Sequence, residues 1–270
     1  IIKGDCLNKA KLNEALEGCS DVIHLGEIVG DPAVKINQNF SIKNNFEATV
    51  FVLSECIKNK IDKFIFASSC SVYGDSKVKC SETSKLNPVS LYAKTKIECE
   101  NLLLDKYSDD INITIFRPST VYGDSFRMRF DLILNHLIKD AYFIGEIKVF
   151  GPKMVRPLMW VGEPARVYKM IIKEHGDKYR SQVFNLGYNQ ENYEKIEIAK
   201  LVQNKFFPNL DIQVVEKDLD LRSYRLDFRK MRKFFNLDPY TNILNESELI
   251  LEKFKKKKYG DVNNKIFYNV

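Results

Sequence analysis

Features that would define several other classes of protein are missing from this sequence. The three histidines, His24, His136 and His175, are scattered without the spacing of metal ligands, so no metal centre is expected. No apolar run approaches the roughly 18 residues that a membrane-spanning helix needs. We therefore expect neither a bound metal nor a membrane partner.

Cysteine pairs and clustered charge of one sign are also absent. None of the six cysteines forms a Cys-x-x-C motif, and disulfide frameworks are typical of small secreted domains. We therefore expect reduced thiols and a cytoplasmic protein. The formal net charge of +6 is spread along the chain, apart from the lysines at 255–258. Nucleic-acid binding needs such charge gathered on one element, so no nucleic-acid partner is expected, whereas a mildly positive protein suits an anionic substrate.

What is present is an alternation of two sequence patterns. Short apolar runs at 21–26, 64–67, 113–116 and 183–186 predict buried strands. Between them, apolar residues recur at helical spacing in 7–16, 44–60 and 90–106. This alternation predicts an α/β fold in which helical crossovers join parallel strands.

The pattern loosens after residue 123, where turn residues follow a predicted helix at 130–139, with a strand predicted at 212–215. We predict a Rossmann-like, doubly wound parallel sheet formed by residues 1–123 plus about 157–187. Residues 124–156 plus 188–270 would form a smaller, partly discontinuous substrate-binding domain.

The residues with the clearest chemistry are Tyr92 and Lys96, whose spacing places both side chains on one helix face. A tyrosine is a poor base because its unperturbed pKa is about 10. A neighbouring ammonium favours the phenolate and lowers that pKa. The apolar run that ends at Ala67 is followed by Ser68 and Ser69, and a serine at a strand end can hold a substrate oxygen while the tyrosine removes its proton.

Together these residues resemble the extended short-chain dehydrogenase/reductase family, in particular its nucleotide-sugar epimerases and dehydratases. The resemblance covers nearly the whole chain. Its segments are His24-Leu25-Gly26-Glu27, Asn45 with Ala48-Thr49, Ser69 to Gly74, Tyr92-x-x-x-Lys96, Arg117-Pro118-Ser119-Thr120-Val121-Tyr122-Gly123, Val155-Arg156-Pro157 and Arg222.

The resemblance implies a role for each matching position, with NAD as cofactor (NADP is not excluded) and a nucleotide-diphosphate sugar as substrate. The catalytic residues would be Ser69, Tyr92 and Lys96. Cofactor contacts would come from Asp5, Cys6, Leu25, Gly26, Glu27, Asn45, Ala67, Tyr92, Lys96 and Pro118. Substrate contacts would come from Ser69, Cys70, Ser71, Thr120, Arg156 and Arg222, the two arginines matching diphosphate oxygens. A homodimer through the helices at 44–60 and 90–106 is also implied.

The sequence departs from the family pattern in three places. The glycine-rich turn that holds the dinucleotide pyrophosphate is missing, so we expect the native gene product to have about 50 further N-terminal residues, comprising a strand, that turn and a helix. Glu27 replaces a small residue; it would either pair with the nicotinamide ring or turn to solvent, and we favour solvent. Thr120 replaces a frequent substrate-binding Asn.

The predicted activity is hydride transfer at a sugar carbinol carbon, with Tyr92 as the base and either epimerisation or simple reduction as the outcome. A 4,6-dehydratase is not expected, because Cys70 and Ser71 stand where dehydratases of the family have an Asp-Glu pair. The alternative is a non-catalytic protein of the same fold that binds NAD(P) or a nucleotide sugar as a sensor. The residues alone identify neither the sugar nor the nucleotide.

Overall fold

The computed structural model describes residues 1–216, 220 and 222–269, and its internal contacts divide the chain into two units. Unit 1 comprises Ile1–Val72, Pro88–Arg117 and Ala165–Phe184. Unit 2 comprises Tyr73–Asn87, Pro118–Pro164 and Asn185–Val270. The segment Tyr73–Asn87, which the sequence analysis placed in the first domain, thus belongs to unit 2.

Helices and strands alternate along the chain. In order they are α1 (Lys9–Leu16), β1 (Asp21–His24), α2 (Asp31–Ile36), α3 (Gln38–Ile42), a π-helical turn (Lys43–Glu47), α4 (Ala48–Lys58), β2 (Lys63–Ala67), β3 (Asp75–Cys80), α5 (Leu91–Tyr107), β4 (Asn112–Pro118), β5 (Thr120–Tyr122), α6 (Ile133–Phe143), β6 (Ile147–Phe150), β7 (Val155–Trp160), α7 (Glu163–Lys173), β8 (Gln182–Leu186), β9 (Asn192–Glu194), α8 (Lys195–Phe206), β10 (Ile212–Val215), β11 (Ser223–Leu226), α9 (Arg229–Phe235) and α10 (Ile243–Lys255).

Unit 1 is built around a sheet with the strand order β1-β2-β4-β8. Strand β2 pairs in parallel with β1 on one side and with β4 on the other, so that Phe66 lies between His24 and Ile115. Phe64, Ile65 and Phe66 are completely buried, as expected for a central strand covered by helices on both faces. The predicted α/β fold with a parallel sheet is confirmed.

The helices of unit 1 cover this sheet with the apolar residues that the sequence pattern singled out. Its core joins side chains from α1, α4 and α5 to the three strands β1, β2 and β4, with Leu53 fully buried and Leu103 1% exposed. Helix α5 begins at Leu91, directly after its N-cap Ser90, whose Oγ accepts a hydrogen bond from Ala93 N–H (3.3 Å). That start places Tyr92 in the first helical turn and Lys96 one turn later.

Unit 2 has short sheets and a separate core. Strands β5, β7 and β9 form one sheet, and the pairs β6–β10 and β3–β11 form two others. Helices α6, α8 and α10 pack around Phe130, Leu134, Ile138 and Ile250, all of which are fully buried. Strand β3 was not predicted because most of its residues are exposed and it has no apolar run, and β5 was not predicted because it has only three residues.

No helix within the described ranges has both the length and the apolar composition that crossing a membrane requires.

Candidate active site

The ammonium group of Lys96 is fixed against the carboxyl end of β2. Lys96 Nζ donates to the carbonyl oxygen of Ala67 and forms an ion pair with Glu27 Oε2. It also lies 4.7 Å from the centre of the Phe66 ring and 5.7 Å from the centre of the Tyr92 ring. Since Lys96 is only 3% exposed, its charge is poorly screened and acts strongly on its neighbours.

Tyr92 belongs to the same buried group of side chains and is 6% exposed. The α-helical spacing of four residues sets its ring and the Lys96 side chain on one face of α5, as predicted from the sequence. A phenol beside an immobilised ammonium is a group that can act as a proton acceptor near neutral pH.

The hydroxyl of Ser69 is oriented by its neighbour Ser71. Ser69 Oγ accepts a hydrogen bond from the Ser71 hydroxyl (2.9 Å) and another from the Ser71 backbone N–H (3.2 Å). With both bonds accepted, the Ser69 hydroxyl hydrogen is directed to another acceptor, such as a substrate oxygen. Ser71 is 1% exposed and supports Ser69 through these two bonds, and its neighbour Cys70 is 4% exposed. The substrate contacts that the sequence analysis gave to these two residues stay predictions.

The loop that follows β1 is held in place by Asn45. Asn45 Oδ1 accepts from Ile28 N–H (2.8 Å), and Asn45 Nδ2 donates to Ile28 O (2.9 Å). Asn45 lies in the π-helical turn Lys43–Glu47 and is 2% exposed. Such turns insert one extra residue into a helix and are frequent at functional sites. Here the turn directs the Asn45 amide at the loop residue that follows Glu27.

The prediction that Glu27 turns to solvent is wrong. Its side chain is 3% exposed and contacts Lys96, because Asn45 pins the next residue and leaves the carboxylate facing α5. Burial raises the pKa of the Glu27 carboxyl, and this effect outweighs the opposing charge of Lys96. Two neighbouring loop positions are open: Leu25 is 58% exposed, and a Cβ built on Gly26 would meet no atom within 4 Å.

Arg117 and Glu100 form a buried ion pair that the sequence analysis did not identify, next to Ser68 at the carboxyl end of β2. Arg117 Nη2 donates to Glu100 Oε2 (2.6 Å), Arg117 Nε donates to Glu100 Oε1 (3.0 Å), and the Ser68 hydroxyl also donates to Glu100 Oε1. Glu100 is 2% exposed and Arg117 is 5% exposed. The available signal was the position of Glu100 four residues after Lys96, on the same face of α5.

Unit 2 contains a cavity of about 690 Å³ that gathers basic side chains. Thr120, Arg156 and Arg222, three residues assigned to the substrate by the resemblance, line it together with Lys148 and Lys195. The two lysines had not been predicted, since nothing in their local sequence distinguishes them from surface lysines.

Asp220 joins the two arginines of this cavity. Arg222 donates to both Asp220 oxygens (Nε to Oδ1 at 2.8 Å, Nη2 to Oδ2 at 2.7 Å), and Arg156 Nη2 lies 2.9 Å from Oδ2. Burial alone would raise the pKa of the Asp220 carboxyl, but the Arg222 hydrogen bonds and the charges of both arginines hold it well below its usual value. Arg222 therefore already binds an anionic group in a fork geometry that also fits phosphate oxygens, and Arg156 forms an ion pair with the same carboxylate.

The predicted residues that do not join either group lie at two places. Asp5 and Cys6 form the turn before α1, where Asp5 Oδ1 accepts from Leu7 N–H (2.9 Å). Pro118 is the last residue of β4. The roles that the resemblance gives to these three residues stay predictions.

Comparison with known proteins gives a family match over most of the chain. Residues 1–187 match the model of the family described as "NAD dependent epimerase/dehydratase family".

Individual relatives agree with that match. An uncharacterized UDP-glucose epimerase of Bacillus subtilis is 36% identical over 144 residues, which are 53% of this chain and 45% of the relative. A UDP-glucuronate 4-epimerase of Thermodesulfobacterium geofontis is 26% identical over 83% of this chain and 69% of its own length. The chain thus spans less than half the length of the Bacillus subtilis relative.

Solved structures show the same fold. The crystal structure of UDP-glucuronic acid 4-epimerase from Bacillus cereus, in complex with UDP-glucuronic acid and NAD, superposes with a TM-score of 0.79 at 25% identity. The superposition covers 94% of this chain and 80% of that one.

Proposed function

Since the chain belongs to the NAD-dependent epimerase/dehydratase family, we propose that it transfers a hydride at C4 of a nucleotide-linked sugar, as an epimerase or a reductase. The observation that carries this proposal is the placement of Tyr92 beside the fixed ammonium of Lys96, on the helix next to the strand end that presents Ser69. That combination supplies a base, a charge that favours its deprotonated form, and a donor for the reacting oxygen.

The residues of unit 1 fit the nicotinamide half of NAD. Lys96 Nζ has three N–H donors, of which Ala67 O and Glu27 take two, so a third is available for a ribose hydroxyl. The open backbone at Gly26 leaves room for a flat ring at the carboxyl end of β1, the edge at which parallel sheets bind ligands. When bound, NAD supplies the acceptor and donor of the hydride.

The residues of the chain then handle the proton. The Ser69 hydroxyl, oriented by Ser71, donates to the sugar oxygen and holds it for Tyr92. Tyr92 Oη accepts the proton of that sugar hydroxyl as the hydride leaves the same carbon, and Lys96 stabilises the phenolate before the transfer. A 4-epimerase returns the hydride to the opposite face of the sugar ring, whereas a reductase completes a single transfer.

Water elimination is not part of this proposal. A 4,6-dehydratase needs one group to remove a proton from C5 and another to protonate the leaving hydroxyl. Cys70 and Ser71 would have to supply them, but both are buried and the Ser71 hydroxyl is bonded to Ser69.

The unit 2 cavity is proposed to hold the nucleotide diphosphate. Arg156 and Arg222 already bind the carboxylate of Asp220, and Lys148 and Lys195 add positive charge to the same cavity. Guanidinium forks match pairs of phosphate oxygens, so a diphosphate is the anion that this cavity fits best.

We further propose a cytoplasmic homodimer formed through α4 and α5. Phe51 and Leu102 support it, since both are only partly buried on those helices. Val52 and Leu103, on the same two helices, lie in the core of unit 1. Light scattering at micromolar concentration that gave the mass of a single chain would contradict the dimer.

The test of the proposed function uses the full-length gene product with NAD and a panel of UDP-hexoses. Wild-type protein should convert at least one sugar to its 4-epimer or oxidise it with formation of NADH, without loss of water. Tyr92→Phe should lose more than about 90% of kcat, a change of at least about 1.4 kcal/mol in the barrier, while its circular dichroism is unchanged.

Tyr107→Phe is the matched control, because Tyr107 ends the same helix. It should keep wild-type turnover. Full activity in Tyr92→Phe would refute the mechanism. Tight binding of cofactor and sugar without turnover by the wild type would instead identify a sensor, and a product lighter by one water would identify a dehydratase.

A further inference from the structure

The carboxylate of Glu27 is an unusual neighbour for a catalytic ammonium. It is 3% exposed and pairs with Lys96, whose own side chain is 4% exposed. The proposed mechanism needs the positive charge of Lys96 at Tyr92, and a buried negative charge in contact with that ammonium weakens its field at the phenol. The mechanism as described has no use for Glu27.

We propose that Glu27 is a positioning residue that holds Lys96 at the end of β2 and partly cancels its charge, thereby setting the pH range in which Tyr92 acts as a base. This inference rests on the proposed function for its catalytic meaning. The position of Glu27 does not depend on substrate. The Asn45 amide forms two hydrogen bonds with the backbone of Ile28 and so fixes the adjacent Glu27 backbone beside α5.

Two titratable groups near the pair, His24 and Cys99, are neutral at neutral pH. His24 on β1 is neutral, because burial, assisted by the charge of Lys96, lowers its pKa to about 4. Cys99 on α5 is also neutral, because burial, assisted by the charge of Glu27, raises its pKa to about 12. Asp31 begins α2, a helix that packs on α5.

The remaining charged neighbours compensate each other, because Glu100 is paired with Arg117 beneath Ser68. Among the described residues, Glu27 and Lys96 form the buried ion pair that lies next to the Tyr92 ring.

The sign of the effect follows from charge alone. Formation of the Tyr92 phenolate places a negative charge near the Glu27 carboxylate, which opposes it. Removing the carboxylate charge in Glu27→Gln should therefore let the phenolate form at lower pH. For charges about 8 Å apart at an effective dielectric constant of about 20, the expected shift is about 1.5 pH units.

The experiment titrates Tyr92 directly in the resting full-length protein. Tyrosine labelled with ¹³C at Cζ reports phenolate formation by its chemical shift, and the Tyr92 resonance is assigned by its loss in Tyr92→Phe. The midpoint should fall by about 1.5 units in Glu27→Gln and in Glu27→Ala. Glu27→Asp keeps the charge and should restore a midpoint near that of the wild type.

The matched control is Glu55→Gln, which neutralises another carboxylate of unit 1 whose side chain is 2% exposed and pairs with Lys58. It should leave the Tyr92 midpoint where it is. In parallel, the acid limb of the kcat profile should move to lower pH in Glu27→Gln by the same amount as the resonance.

An unchanged Tyr92 midpoint in both neutral variants would overturn the inference. So would a rise in the midpoint, since Glu27 would then strengthen the field of Lys96 instead of opposing it. Unfolding of both neutral variants would also overturn it and make Glu27 a purely structural residue. The titration does not require turnover, so an inactive wild type with a shifted midpoint would refute only the proposed function.

Discussion

Glu191 should make the stability of unit 2 fall as the pH rises from about 4.5 to about 7. It is 3% exposed, and burial raises its pKa to about 7, against an opposing hydrogen bond from Tyr122. In the unfolded chain the same carboxyl titrates at its model value of 4.5. The folded state therefore retains the proton over a pH range in which the unfolded state has lost it, and folding is opposed once both states are ionised.

The size of the effect follows from the two pKa values. The difference of about 2.5 units corresponds to about 3 kcal/mol of unfolding free energy, at about 1.4 kcal/mol per unit. The contribution is fully present below pH 4.5 and is lost as the pH rises through about 7. Glu191→Gln has no proton to lose, so at pH 8.5 it should exceed the wild type in stability by up to about 3 kcal/mol.

The assay is urea unfolding of both proteins at half-unit steps from pH 4.5 to 8.5, followed by circular dichroism. The difference in unfolding free energy should grow from about pH 5 to about pH 7 and then level off. Glu248→Gln is the control, because the Glu248 side chain on α10 is 59% exposed and lies 4.0 Å from Lys205. Exposed pairs contribute little, so its difference from the wild type should stay within about 0.5 kcal/mol at every pH. A pH-independent difference between Glu191→Gln and the wild type would refute the reasoning.

The remaining predictions concern the buried charges and the cavity. Because the pKa of His24 is lowered to about 4, the free energy of unfolding should decrease by up to about 3 kcal/mol as the pH falls from 6.5 to 4. In His24→Gln, the free energy measured by urea unfolding should depend less on pH over that range. Glu100→Ala leaves the Arg117 guanidinium buried without its carboxylate and should cost about 3–5 kcal/mol in the same assay; a loss below about 1 kcal/mol would contradict this. Arg222→Ala should raise KM for the nucleotide sugar with little change in kcat, because such binding is similar in the ground and transition states. The control is Arg232→Ala, because the Arg232 side chain is 62% exposed and forms a surface ion pair. An unchanged KM in Arg222→Ala would show that Arg222 serves only in a structural ion pair.

The sheet of unit 1 could be predicted because its strands are continuous apolar runs. Phe64, Ile65 and Phe66 are buried on both faces, and a strand of this kind is visible in the sequence without knowledge of its partners. The relation of Tyr92 to Lys96 was also accessible, since one helix sets it. Helix boundaries were less accurate: α4 begins at Ala48 and not at residue 44, because the π-helical turn comes first.

Glu27 shows why the rest could not be predicted. Nothing local distinguishes a glutamate that faces solvent from one that faces a lysine 69 positions later in the chain. Its direction depends on Asn45, which acts through Ile28, and on the start of α5, so three separate segments decide one side chain. In the same way, the cluster of Arg156, Arg222 and Asp220 depends on distant segments of unit 2.

The π-helical turn at Lys43–Glu47 has a consequence for how this family of chains can vary in length. An α-helix advances by about 100° per residue, since it has about 3.6 residues per turn. Deleting one residue from the turn would let α3 and α4 merge into one regular helix, a change that costs little in backbone hydrogen bonding. The same deletion would rotate the part of the helix before it by about 100° relative to α4, carrying the Asn45 amide away from Ile28. An insertion or deletion here would leave the helical hydrogen bonds nearly intact but would release the loop that carries Glu27. The number of residues between the β1 loop and α4 is therefore constrained by the direction in which the Asn45 side chain must point.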